Sequence, residues 1–267
     1  MLNYQSQNFK SLEELRAIAP SIFTKKGSDN TSSKYTHIPT DTVIKDLQLL
    51  GWNVVDAKEV KARKQVGYQK HLVVFRNNDV VINGKDGDTV FPQILLTNSH
   101  DGKNSFSFQA GLFRMICENG LVIATKQFEN YKIRHMGYDF ETLQGVIKDM
   151  ISNLDLTVES MNKMKETELT EEQTLDFAKQ LLETRVAGSK NKFGDEAIAD
   201  ILTPQRKEDK GNGLWEVFNR VQENIVEGNF QYLTPGGKLR QARPIKNFRQ
   251  DMNINAKMYE QALTFAA

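Results

Sequence analysis

Apolar positions repeat most regularly late in the chain. From Leu214 to Glu227, Trp215, Phe218, Val221 and Ile225 fall in register for one helix face, and Gly228 follows as a stop. Phe140, Leu143, Val146, Ile147, Met150, Ile151 and Leu154 give another helical face. Thr170-Glu171-Glu172-Gln173 reads as a capping box, and Leu175, Ala178, Leu181 and Leu182 supply the stripe behind it. A short helix is predicted over Asp195–Leu202 and a last one over Asn255–Phe265, with a turn at Pro235-Gly236-Gly237.

The first half has a different period. Thr40 or Asp41 caps a helix carrying Val43, Ile44, Leu47 and Leu50, and Gly51 ends it. Extended segments follow from Trp52 through the VKARKQ run, over Tyr68–Arg76, and over Phe91–Asn98. Between the last two, Asn83-Gly84 and Asp86-Gly87 are hairpin-type dipeptides. SFSFQAGLF begins as a strand and is predicted to pass into a helix, and Leu121–Ile123 and Tyr131–His135 read as further strands. Upstream, Leu12, Leu15 and Ile18 make a short helix that stops at Pro20, and Lys25–Lys34 reads as a loop.

Strands first and helices second is an α+β order, predicting an antiparallel sheet in the N-terminal half packed with a helical C-terminal half. Residues 1–39 read as a peripheral segment, 40–137 as mainly β and 138–267 as mainly helical, the last two forming one continuous domain. No internal repeat stands out.

Composition narrows the function classes. At 267 residues, 39% hydrophobic and 26% charged, the chain has the makeup of a globular protein. Its net charge of +1 provides no global field toward nucleic acid or lipid, so any basic surface must be local. No run approaches the roughly 18 apolar residues of a membrane span, and the first residues hold no apolar signal core. Cys117 stands alone and forms no internal disulfide. A cytoplasmic protein without membrane contact is expected.

The polar stretch Asn98–Ala124 offers the most chemistry. Ser99, His100 and Asp101 are the residue types of a hydrolase triad, but consecutive strand side chains point to opposite faces. No GxSxG elbow presents a nucleophile. NSHDGK reads instead as a polar turn. Arg114 interrupts the apolar run Gly111–Cys117 and must reach solvent, pair with an acid such as Asp101 or Glu118, or hold an anion. His100, Asp101, Arg114 and Asn119 therefore form a polar-site candidate, with no catalytic residue assigned. His37, His71, His100 and His135 fall into no HxH, HxxxH or HExxH spacing, and neither phosphate-loop pattern occurs. No metal and no cofactor is expected.

Two segments concentrate positive charge. Lys58–Arg76 holds Lys61, Arg63, Lys64, Lys70 and Arg76 against the single acid Glu59, with Tyr68 and Phe75 interleaved. Lys238–Arg249 holds Arg240, Arg243 and Arg249 with no acid, and ends at Phe248-Arg249. Cations follow phosphates and rings stack on bases, so this mixture suits single-stranded nucleic acid, against the usual alternative of a solvated charged face. Asp155–Glu183 has the opposite bias, with eight acids to three bases, so charge is segregated along the chain.

YQKHLVVFR, LLTNSHDGKNSFSFQAGLFRMICENGLVIA and WEVFNRVQENIVEG with LTPGGKLRQARPIKN resemble the phage- and plasmid-like family called domain of unknown function 932. Arg114, Cys117, Asn119, Gly120 and Leu121 match its R-x-x-C-x-N-G-L pattern, and the similarity runs over roughly residues 40–265. The resemblance implies a mobile genetic element and supplies no catalytic residues. A helix ending in Leu-Gly-Trp, then antiparallel strands, then a helix is also similar to the core order of single-strand annealing recombinases, which form rings on single-stranded DNA. The strands over Ser105–His135 depart from that order. The leading expectation is thus a non-catalytic single-stranded-DNA-binding protein of a phage or plasmid, possible as a homo-oligomer. The alternatives are a counter-defence factor that contacts a host protein, and an enzyme built on His100, Asp101 and Arg114.

Overall fold

A computed structural model describes residues 9–33, 35–62, 66–83, 89–104, 106–114, 120–122, 131–133, 139–152, 154–186 and 189–266. The fold is α+β. In chain order it runs α1 (Leu12–Ile18), a 3-10 turn (Pro20–Phe23), α2 (Thr40–Leu49), β1 (Asn53–Glu59), β2 (His71–Arg76), β3 (Ile82–Asn83), β4 (Thr89–Asn98), β5 (Phe106–Arg114), β6 (Gly120–Val122) and β7 (Tyr131–Ile133). Then come α3 (Phe140–Ser152), α4 (Leu154–Glu166), α5 (Glu171–Val186), α6 (Asp195–Leu202), α7 (Leu214–Glu227), β8 (Gln231–Leu233), β9 (Leu239–Gln241) and α8 (Phe248–Phe265). These elements form two compact units. One comprises Met1–Ile82, Val90–Phe113 and Lys126–Asn153; the other comprises Asn83–Thr89, Arg114–Thr125 and Leu154–Ala267.

The first unit is built on strands in the order β1-β2-β4-β5, with β3 beside β4 and β7 beside β5. β1–β2, β2–β4 and β5–β7 are antiparallel. Val73, Phe75, Ile94, Leu96, Phe106 and Phe108 are buried, and the last two rings meet edge to face at 5.0 Å. α2 contributes Val43, Ile44 and Leu47, and α3 contributes Leu143 and Ile147, each set spaced to face the core. In α1 only Leu15 is buried, while Leu12 and Ile18 are more than a third exposed. Its cap is a complete capping box between Ser11 and Glu14.

Gly51 ends α2 as its spacing predicts: its φ is +83°, a left-handed conformation natural to glycine. The other end differs from expectation. Pro39 occupies the N-cap and no side chain caps the helix, because the Thr40 hydroxyl is bonded to His71 and Asn98 instead. SFSFQAGLF does not turn helical; Phe106–Arg114 is strand throughout. Its alternation continues far enough for β4 to draw the whole segment into the sheet.

The second unit is helical, centred on α7, whose residues 214, 215, 217, 218, 221 and 225 are buried apolar side chains. Trp215 lies 6.3 Å from Phe218, and Phe218 meets Tyr259 of α8 at 6.1 Å. The Tyr259 hydroxyl is 2.6 Å from Ser160 Oγ on α4, and burial pushes the phenol up to about 12. α4 is a helix distinct from α3, which the continuous apolar spacing through Leu154 had concealed. α8 begins at Phe248 rather than Asn255, because buried Met252 and Ile254 extend its face through a polar-looking first turn. The 203–213 loop is held by a bidentate Arg206–Glu223 pair and by Arg220, which donates to the carbonyls of Asp209 (2.9 Å) and Gly211 (2.7 Å).

Candidate functional site

β2 and its neighbours set one polar row across the sheet. Glu59 of β1, His71 of β2 and Asn98 of β4 are directly opposite one another, so their side chains share a face. His71 is wholly buried. Its Nδ1 lies 2.8 Å from Ser21 Oγ and 3.1 Å from the Gln69 carbonyl, and its Nε2 lies 2.9 Å from Thr40 Oγ1. A carbonyl only accepts, so the proton sits on Nδ1 and Thr40 donates to Nε2. Thr40 in turn accepts from Asn98 Nδ2 at 3.0 Å, and Glu59 accepts the Ser21 backbone N–H at 2.8 Å. Burial holds His71 down at about 4, so the ring is neutral at pH 7.

His100 is fully buried too, not displayed on an exposed turn. Its ring centroid is 4.6 Å from that of His37 and 5.4 Å from that of His71. Its backbone is fixed on both sides, N–H to the Tyr68 carbonyl (3.1 Å) and C=O to the Ser28 N–H (2.8 Å). Asp101 is half-buried and turned to local work: its carboxylate accepts from Ser99 Oγ at 2.7 Å and from the Lys103 N–H at 3.0 Å. Ser99 Oγ also accepts from Asn104 at 3.1 Å. The Ser-His-Asp letters thus build a turn, with the serine bonded to the aspartate and the histidine directed into the protein. The Arg114 side chain and all of Asn119 lie outside the described residues. Among the described residues no cluster of His, Cys, Asp or Glu has metal-binding geometry.

Of the first basic segment, Arg63 and Lys64 lie outside the described residues. Lys61 is exposed, and Lys70 is half-buried beside it, because the Val60 N–H bonds the Lys70 carbonyl at 2.9 Å. Arg76 is half-buried with its guanidinium over the Phe91 ring at 5.0 Å, a packing role.

The second basic segment is differently arranged. Pro235-Gly236-Gly237 makes the predicted turn, closed by Gly237 N–H to the Thr234 carbonyl (2.9 Å) and Thr234 N–H to the Lys238 carbonyl (2.9 Å). It sets Tyr232 of β8 directly opposite Arg240 of β9, on one face of a two-stranded ribbon. The ribbon is anchored to α7: the Ala242 N–H bonds the Phe230 carbonyl (2.9 Å), the Ile245 N–H bonds the Val226 carbonyl (2.9 Å), and Gln241 Nε2 donates to the Gly228 and Phe230 carbonyls. Gly228 permits this approach. Its φ is +77°, and a Cβ there would stand 2.8 Å from the backbone of Ala242 and of Arg243. The result is a surface pocket lined by Tyr232, Arg240, Gln241, Ala242 and Arg243. Arg240 and Arg243 are exposed, and neither pairs with a carboxylate among the described residues. The Arg243 carbonyl accepts from Arg185 Nη2 of α5 at 2.9 Å, and burial pushes the Arg185 guanidinium down from its ordinary value. The Arg249 and Phe248 side chains lie outside the described residues.

A model of the family described as domain of unknown function (DUF932) matches residues 29–259. The chain belongs to the DUF932 family. Two Escherichia coli K12 proteins are similar over nearly the whole length. UPF0380 protein YafZ is 29% identical over 94% of this chain and 89% of its own, and UPF0380 protein YfjQ is 28% identical over 94% and 90%. No solved structure matches.

Arg185 and Tyr232 were absent from the sequence-based set. Tyr232 was within reach: placing the turn at Pro235-Gly236-Gly237 puts it opposite Arg240. Arg185 lies on α5, just past the acidic stretch Asp155–Glu183, and no local pattern links it to Arg243. His37 and His71 likewise carried no spacing signal, since each meets the His100 ring only in the folded unit.

Proposed function

We propose that this DUF932 protein binds single-stranded DNA without catalysis, in the replication, recombination or protection of phage or plasmid DNA. The observation that carries the reading is the ribbon pocket, where Arg240 and Arg243 flank Tyr232 with no acid among the described residues of the lining. Cations at that spacing neutralise phosphates, and a tyrosine ring offers a sequence-tolerant platform for an unstacked base. A duplex keeps its bases stacked and has no face to give Tyr232, so the site favours single strands. Lys61 and Lys70 add positive charge on the sheet unit. The family resemblance supports the mobile-element setting. Burial of His100 argues against the enzyme alternative, because no substrate reaches that ring without opening the unit.

The test is a mobility shift of labelled oligothymidine at low salt. The wild-type chain retards it, and Tyr232→Ala weakens retention by about 1–3 kcal/mol while Tyr232→Phe keeps it. Equal binding by all three proteins refutes the stacking role. A second reading rests on the opposite face of the ribbon, where Leu233 and Leu239 stand across from each other, 40% and 57% exposed. That apolar pair favours the host-protein alternative. A pull-down from host lysate that survives nuclease and is lost with Leu239→Ser would support it.

A further inference from the structure

A second pocket lies in the helical unit, on residues that the DNA reading does not use. It is lined by Thr184 and Arg185 of α5, by Asn247, and by Gln250, Asn253 and Lys257 of α8. Among the described residues, two cations and three carboxamides converge there, with no Asp or Glu in the lining. The pocket also sits at the start of an 18-residue helix. Asn247 caps that helix, its Oδ1 accepting the Gln250 N–H at 3.2 Å and its carbonyl accepting the Asp251 N–H at 2.9 Å. The remaining first-turn amides and the helix dipole add positive potential at the pocket's edge. The acid in that turn, Asp251, is engaged elsewhere: it accepts from Asn255 Nδ2 at 2.8 Å.

Arg185 is the central residue. One of its nitrogens is bound to the Arg243 carbonyl, which fixes the guanidinium at the pocket wall. Its remaining N–H groups form the planar fork that matches a tetrahedral oxyanion. Lys257 is exposed and supplies a mobile second charge, while the carboxamides of Asn247, Gln250 and Asn253 supply donors to further oxygens. We infer that this pocket is a phosphate-binding site, in which Arg185 and Lys257 hold the phosphoryl group of a ligand and the α8 N-terminus completes its shell.

Calorimetric titration of inorganic phosphate into the full chain at low ionic strength tests it. Saturable one-site binding is expected, about tenfold weaker in Arg185→Gln and in Lys257→Gln, as for loss of one charge-assisted contact. Lys257→Gln removes an exposed side chain and leaves the fold intact, so its loss of binding reports the site itself. Lys207→Gln, an exposed cation that lines neither pocket, is expected to bind normally; an equal loss in that variant means diffuse charge and overturns the proposal. Absence of saturable phosphate binding, together with oligothymidine binding indifferent to Lys257→Gln, also overturns it. Two further arms identify the source of the phosphoryl group, using oligothymidine with a 5′-phosphate and with a 5′-hydroxyl. Weaker oligomer binding in Lys257→Gln, which leaves the Arg185–Arg243 contact in place, assigns the site to the polynucleotide. Phosphate binding by a chain that binds no oligomer supports the pocket, assigns it to a small phosphorylated ligand, and defeats the DNA reading alone.

Discussion

Lowering the pH from 7 to 4 is expected to destabilise the sheet unit through His71. The ring takes a proton near 6.5 when exposed and only near 4 when buried in the native row, a difference of about 3 kcal/mol at about 1.4 kcal/mol per unit. The sign follows from proton counting. Between those two values the unfolded chain binds the proton and the folded chain does not, so stability falls as pH falls through that window. Above about 6.5 the contribution is fully present, and below about 4 it stops changing. The groups around the ring set the background: His100 beside it, His37 on the His100 ring, Glu59 bonded to Ser21, and the Lys25–Asp41 pair at α2. His71→Gln keeps a neutral hydrogen-bonding side chain and removes the titration. Urea unfolding followed by Trp52 fluorescence in a Trp215→Phe background, at several pH values from 7.5 to 4, is the assay. Wild-type stability should fall more steeply than that of the variant, by up to about 3 kcal/mol across the window. Parallel curves for the two proteins would refute the account of a neutral buried His71.

Two substitutions in the helical unit follow from the same packing logic. Gly228→Ala places a Cβ against the backbone of Ala242 and Arg243 at a left-handed φ, and is expected to cost about 1–3 kcal/mol in thermal unfolding and to weaken DNA binding by displacing Arg243; unchanged stability would contradict the close approach. Arg206→Ala leaves the largely buried Glu223 without its bidentate partner and is expected to cost about 3 kcal/mol, whereas Arg206→Met with Glu223→Met restores most of it, as read by urea unfolding.

Much of the fold was legible locally because local groups fix it. Thr170 and Gln173 form the reciprocal bonds of a capping box, 3.2 and 2.9 Å, at the start of α5. Gly228 sits in the left-handed conformation directly after α7, where the apolar register ends. The failures share a cause. Thr40 reads as a cap until His71 and Asn98 arrive from strands distant in sequence and take its hydroxyl. His100 reads as a turn residue because Asp101 and Gly102 are turn residues, yet the ring is drawn inward by partners far along the chain. The basic run Lys238–Arg249 was visible as charge; that Arg243 would be buttressed by Arg185, from an acidic helix, was not.

The most direct test of DNA binding through the ribbon is its salt dependence. Affinity for fluorescein-labelled oligothymidine should be measured by anisotropy across a series of salt concentrations, for the wild type and for Arg240→Ala with Arg243→Ala. The account predicts a falling log–log line for the wild type, and a slope shallower by about 1.4 in the double variant, for two phosphate contacts at about 0.7 each. No binding at low salt, or an identical slope in the two proteins, would contradict it.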